Sequence, residues 1–217
     1  MTSPNQVPAR SPDGLLHLQR YLALRVPPQP GELVGPSAVL VLLAPMEGEL
    51  KVLLIERAAQ LRHHGGQMAF VGGGFEPGDD TLWGTALREA REEVGLDAAT
   101  VDELRPIGIL TPIAIAVSGY TVLPWVALAC AVPALAADVR EVARVLWASV
   151  DELAACEALV PRPRVGGPPQ LWPEFLLPAG RVWGATALML DELLFGLSGG
   201  QPGAWRFLSA VTSERKG

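Results

Sequence analysis

The sequence predicts a mixed fold of helices and strands, and three observations carry that prediction. Residues 37–44 and 50–57 are rich in Val, Leu and Ile and flank Pro45-Met46-Glu47-Gly48-Glu49, which reads as a hairpin of two strands. Residues 82–94 place Leu82, Ala86, Leu87, Ala90 and Val94 on one helical face, and Gly95 supplies a stop. Short apolar runs at 107–111, 121–131 and 142–147 then read as further strands.

The remaining elements follow in order. Leu15, Leu16, Leu18, Tyr21 and Leu22 recur near helical spacing behind Asp13, which reads as the cap, so a short leading helix is expected there. The glycine-rich stretch 58–80 reads as a functional loop, with a brief strand at 68–71. A short helix is expected at 151–158 and an amphipathic one at 183–197, ahead of Gly199-Gly200. Residues 161–170 hold four prolines and two glycines and read as a loop.

A length of 217 residues favours one large domain over two small ones, read as a tail over 1–12 and a single domain over 13–217. Net charge is −6 and the 17 basic residues form no dense run, which argues against a nucleic-acid partner. The apolar run 122–137 is interrupted by Pro124 and Pro133 and reads as a strand rather than a membrane span. Cys130 and Cys156 have no metal-ligand spacing and suggest no disulfide framework. The N-terminus does not read as a secretory leader, so the cytoplasm is the expected location.

The chemistry concentrates at 74–96. Gly74 is followed after five residues by Asp80, and after seven more by Arg88-Glu89-Ala90-Arg91-Glu92-Glu93-Val94-Gly95-Leu96. On a helix Glu89, Glu92 and Glu93 lie at i, i+3 and i+4, and such like-charge pairs destabilise by about 0.2–0.5 kcal/mol each. A charge run of this kind is most often a solvated face; the alternative is a hard divalent cation, Mg²⁺ or Mn²⁺, held by oxygen ligands.

The complete spacing decides between them, because it resembles the Nudix box at every defining position except one, where Asp80 replaces the usual glutamate. The resemblance implies an α+β fold, a curved mixed sheet sandwiched between helices. It also implies a hydrolase that splits a diphosphate by in-line attack of a metal-activated water. By the same resemblance Glu89, Glu92 and Glu93 hold the metal with the Gly73 carbonyl, and Glu89 is either a ligand or the general base. Arg88 is oriented by Asp80. Glu141 is the candidate for a fourth carboxylate from a later loop, although a glutamate before a strand is commonly a surface residue.

Upstream, Leu53-Leu54-Ile55-Glu56-Arg57-Ala58, then Arg62, Gly66 and Phe70-Val71-Gly72-Gly73, resemble the motif of the coenzyme A pyrophosphatase branch of that family. Ile55 and Val71 depart from its usual threonine and proline, and valine leaves the loop freer than proline would. The resemblance implies cleavage of coenzyme A into 3′-phospho-ADP and phosphopantetheine, with Arg57, Arg62, His64, Phe70, Gly72 and Gly73 as substrate contacts. Arg57, His64 and Phe70 each have a plainer reading. Arg57 would pair with Glu56, His63 and His64 would be exposed loop residues, and Phe70 would be core. The alternative substrates are other nucleoside diphosphates such as ADP-ribose or NADH. A catalytically silent nucleotide binder is disfavoured by the intact glutamates, and a nucleoside triphosphate cleaner by the upstream arginines. The expected partner is a small nucleoside diphosphate, with no nucleic acid or membrane, and a homodimer is left open.

Overall fold

A computed structural model describes residues 13–115, 119–164, 167–208 and 211; the tail expected over 1–12 lies outside them. The elements run α1 (Gly14–Leu22), a 3₁₀ turn (Pro30–Glu32), β1 (Pro36–Met46), β2 (Glu49–Arg57), β3 (Met68–Ala69), β4 (Val71–Gly74), α2 (Leu82–Val94) and α3 (Ala98–Glu103). They continue with β5 (Arg105–Ile109), β6 (Ile113–Ile115), β7 (Tyr120–Leu128), β8 (Val142–Ser149), α4 (Val150–Cys156), β9 (Glu157–Arg164), β10 (Gly167–Leu177), β11 (Gly180–Val182) and α5 (Gly184–Leu197).

The expected hairpin forms with a tighter turn than its composition suggested. Strand pairing runs out to Met46 opposite Glu49, and Glu47 and Gly48 both take positive φ (55° and 80°), the two-residue turn whose twist matches that of the flanking strands. Strand β1 is the spine of a mixed eight-stranded sheet. It pairs in parallel with β7 along its length, and on its other side it changes partner, taking β4 over Ser37–Leu40 and β2 over Leu43–Met46, both antiparallel. Beyond β2 lie β3 and β8, and beyond β7 lie β5 and β6. The change of partner splays β2 away from β4, and the site occupies that opening.

Alternation along β1 explains the sandwich. Ala38, Leu40, Leu42 and Ala44 point to the face covered by α2, while Val41 and Leu43 point to the face covered by α1 and α5. Leu53 and Ile55 of β2 join the first layer, and Val52 and Leu54 the second. Helix α2 contributes Leu82, Ala86, Ala90 and Val94, spaced by four to stack on one face, as its periodicity required. The architecture is thus α+β, a curved mixed sheet between helices. Among the described residues no helix is long and apolar enough to cross a membrane.

Three expectations need correction. Of the stretch 161–170, residues 161–164 and 167–170 are strand rather than loop: they belong to β9 and β10, which pair with Pro161 opposite Leu171 and Arg162 opposite Gln170. Pro161 and Pro163 are two residues apart in a strand whose one partner among the described residues is β10. Their missing N–H groups therefore fall on one side, where an edge strand needs no donors. Asp13 occupies the N-cap of α1 but makes no side-chain cap bond. Helix α5 is not amphipathic, because it is apolar nearly all round and its two charged residues, Asp191 and Glu192, are buried at 3% and 0% exposure. Glu192 accepts from Tyr21 Oη (2.9 Å), Thr111 N (2.9 Å) and Thr111 Oγ1 (2.7 Å) and pairs with Arg25 (2.7 Å), tying α1 and the β5–β6 link to α5.

Asp191 shares Arg206 with Glu157 and accepts from Trp205 Nε1 (2.6 Å). Burial, and then the neighbouring Asp191, push the Glu157 carboxyl above its ordinary value. A carboxyl raised on folding contributes stability that is present at low pH and lost as pH rises through its folded value. Glu157→Gln mimics the protonated form, so its melting temperature relative to the parent should climb between pH 5 and pH 7.5. Parallel melting curves over that range would show that Glu157 does not titrate in this way.

Candidate active site

The site is assembled from four pieces of chain that the split in the sheet brings together. Strand β4 carries Gly72-Gly73-Gly74 along β1, with Gly73 opposite Ala38. Helix α2 crosses above, started by Thr81, whose side chain accepts from Gly84 N (3.0 Å), and stopped by Gly95 at φ 66°. The end of β2 delivers Arg57. The segment leading into β8 delivers Glu141, held in place because Ala58 N donates to the Glu141 carbonyl (2.8 Å) and Asp138 N donates to the Glu93 carbonyl (2.9 Å).

Glu93 closes the opening between β2 and β4. Its Oε1 accepts from Arg57 Nη1 (3.1 Å) and its Oε2 from Gly72 N (3.0 Å), and its side chain is 2% exposed. Burial pushes its carboxyl up to about 7 against the lowering effects of the Gly72 amide and Arg57, with Glu89 and Glu141 adding repulsion. Glu89, one turn earlier on the same face, lies against Gly73: a Cβ on that glycine would meet Glu89 Oε1 at 2.2 Å. Burial raises its carboxyl too, opposed by Arg88 and reinforced by Glu92 and Glu141. Glu92 is 100° around the helix from Glu93, and its side chain is 56% exposed.

Arg88 organises the loop side. Nε and Nη2 donate to Asp79 (3.0 and 3.1 Å), Nη2 also to the Gly74 carbonyl (2.8 Å), and Nη1 to Glu89 Oε1 (2.9 Å) and Glu92 Oε2 (3.0 Å). The pairing expected with Asp80 is therefore corrected by one residue. Asp80 is exposed, and all five guanidinium N–H groups are engaged elsewhere. Asp79 is the partner of Arg88 that sequence reasoning missed; the signal available was the doublet Asp79-Asp80 itself.

The upstream motif divides. Arg57 joins the site through Glu93 rather than pairing with Glu56, which pairs with Arg144 (2.8 Å). Arg62, His63 and His64 are exposed on a loop whose base is closed by Gly66 N donating to the Arg57 carbonyl (2.9 Å) and Arg57 N donating to the Gln67 carbonyl (3.0 Å). His64 has φ 59° and its Nδ1 lies 3.0 Å from Gln67 Oε1. Phe70 is 3% exposed and packs in the core, the plainer of its two readings, and offers no open face to a base. Ile55 and Val71 are both fully buried beneath α2, and Val71 pairs with Leu40. Strand pairing with Leu40 and burial hold the position that proline would otherwise stiffen.

Among the described residues no three His, Cys, Asp or Glu side chains converge on a single point. The physical reason is visible: Glu93 is drawn to Arg57 and Gly72, and Glu89 and Glu92 to Arg88. The donor set nevertheless fits a hard divalent cation. It is all oxygen, the carboxylates of Asp79, Glu89, Glu92, Glu93 and Glu141 face two arginines, and Glu89 and Glu93 are raised first by burial and further by the neighbouring carboxylates.

The family model for the NUDIX domain matches residues 35–166, and the chain belongs to the Nudix family. The curated relative named "Uncharacterized Nudix hydrolase NudL" from Pectobacterium atrosepticum is 35% identical over 155 residues, covering 68% of this chain and 75% of the relative. The protein of that name from Yersinia enterocolitica is 43% identical over 103 residues, covering 46% of this chain and 51% of its own length. The chain thus spans about half the length of that relative. Among solved structures, the Nudix hydrolase RenU from M. smegmatis is 30% identical, covers 55% of this chain and 73% of its own, and superposes with a TM-score of 0.44.

Proposed function

We propose that the chain is a divalent-cation-dependent hydrolase of nucleoside diphosphate derivatives, with coenzyme A as its substrate. The observation that carries the reading is the Arg57–Glu93 pair (3.1 Å), which joins the upstream motif to the box in one site. A bound Mg²⁺ or Mn²⁺, held by Glu89, Glu92 and Glu93 with the Gly73 carbonyl, supplies charge neutralisation of the diphosphate and a water of lowered pKa.

The protein's own residues do the rest. Arg88 fixes the Gly74 carbonyl and the Glu89 and Glu92 carboxylates in one frame. Glu89 and Glu141, electrostatically coupled, are the candidates to take the proton of the attacking water, and burial raises Glu89 toward the range a general base needs. In this reading Arg57, Arg62 and His64 meet the phosphate oxygens of the substrate, a role in which arginine forks suit better than lysines. The 3′-phosphate of coenzyme A is the group that Arg62 would distinguish. A reducing compartment such as the cytoplasm suits the two free thiols, Cys130 and Cys156.

The test is Mn²⁺- or Mg²⁺-dependent hydrolysis of coenzyme A, ADP-ribose, NADH and a deoxynucleoside triphosphate, with products identified by mass. Release of 3′-phospho-ADP and phosphopantetheine is expected, and Arg62→Ala should slow coenzyme A turnover far more than ADP-ribose turnover. Equal losses on both would remove the coenzyme A assignment while leaving the diphosphatase, and no turnover of any substrate would remove both.

A further inference from the structure

We propose that Asp79, and not the acid at the box position, is the residue that positions Arg88 for hydrolysis. The proposal rests on the diphosphatase reading above. A guanidinium has five N–H donors in a rigid plane, and its orientation is set by whichever acceptors hold the most of them. Asp79 takes two, on separate nitrogens, in a side-on fork at 3.0 and 3.1 Å. The other three reach the Gly74 carbonyl, Glu89 and Glu92, which are groups of the reaction site itself.

Asp79 is in turn held by two donors besides Arg88. Its Oδ2 accepts from Glu76 N (3.0 Å) and from Thr85 Oγ1 (2.9 Å), and Thr85 is fully buried on the first turn of α2. The carboxylate therefore ties the loop after β4 to the helix that carries the glutamates. Arg88 holds it below its ordinary pKa, so it is anionic at neutral pH. Asp80 lies between Asp79 and the cap residue Thr81 and is exposed. Neighbouring residues outside a helix present their side chains in different directions, so only one of this doublet can face Arg88. A glutamate at position 80 has one more methylene with which to reach across; aspartate lacks it, and the adjacent acid takes the fork. Asp79 touches neither substrate nor reacting atoms and acts through Arg88, so it is a positioning residue.

The variants Asp79→Asn, Asp80→Asn and the double change Asp79→Asn with Asp80→Glu separate the possibilities. Each is measured for kcat and KM in Mn²⁺-dependent hydrolysis of coenzyme A and ADP-ribose, for Mn²⁺ affinity by calorimetry, and for melting temperature. Asp79→Asn retains one acceptor oxygen and turns an amide donor toward Arg88. It should lower kcat about 10- to 100-fold with little change in KM, and weaken Mn²⁺ binding. Asp80→Asn should match the parent, and the double variant should recover part of the lost kcat through the longer arm at position 80. An equal or larger loss in Asp80→Asn would overturn the proposal. So would a loss in Asp79→Asn that follows a fall in melting temperature and is not recovered by the double variant. If the parent hydrolyses no diphosphate, the functional reading falls and Mn²⁺ affinity decides alone: weaker binding confined to Asp79→Asn supports the positioning role, and equal binding in all variants removes it.

Discussion

Gly73→Ala should leave the protein folded and slow hydrolysis about 100-fold, the size of effect that a displacement of about 1 Å produces in a catalytic group. The added Cβ would sit 2.2 Å from Glu89 Oε1 and 2.5 Å from Glu89 Cδ, while no backbone atom is among its three nearest contacts. A side-chain terminus can move aside, so the fold accommodates the methyl and the carboxylate does not keep its place. The neighbouring glycine differs in kind. At Gly72 the same atom would meet Ala38 O at 2.3 Å and Val39 Cα at 2.6 Å, with φ at 153°, so the β1–β4 ladder itself would have to shift. Steady-state kinetics and a melting curve on Gly73→Ala check the claim. Parent-like kcat would mean that the position of Glu89 against β4 is not used in the reaction.

Glu93→Gln should lower kcat about 100- to 1,000-fold, the usual consequence of removing one preorganised charge from a reaction site, and change the melting temperature little. The amide keeps an oxygen for Gly72 N but loses the charge that faces Arg57 and, in the proposed mechanism, the cation. Stability is expected to hold because this carboxylate is buried at a penalty, shown by its rise to about 7, and a neutral isostere removes that penalty. Arg57, whose side chain is 24% exposed, can turn to water once its partner is neutral. Full activity in the variant would exclude Glu93 from the chemistry. A collapse in melting temperature would instead mark it as a structural tie between β2 and β4.

Much of this was legible in the chain itself. Leu82, Ala86, Ala90 and Val94 announced the face of α2, Gly95 its end, and the i, i+3, i+4 spacing the carboxylate group, because helix periodicity and capping act over a few residues. The hairpin of β1 and β2 was readable for the same reason. The proline-rich part of β9 was misread because proline's local preference for loops says nothing about whether a strand lies at a sheet edge, as β9 does. Helix α5 is buried nearly all round, where an amphipathic helix was expected, because a buried ion pair and a solvated face have the same local sequence.

The sequence by itself determined that a glycine-rich turn precedes a helix bearing Arg88, Glu89, Glu92 and Glu93, and that an arginine-bearing motif lies upstream. Only the tertiary structure decided which acid holds Arg88, that Arg57 closes on Glu93, that Glu141 is brought to both glutamates, and that Phe70 is core. The choice of Asp79 over its neighbour is local loop geometry over nine residues, whereas the Arg57–Glu93 contact and the approach of Glu141 depend on β1 exchanging β2 for β4 as its partner. That is a long-range pairing which sets the distances between segments tens of residues apart, and no local periodicity encodes it.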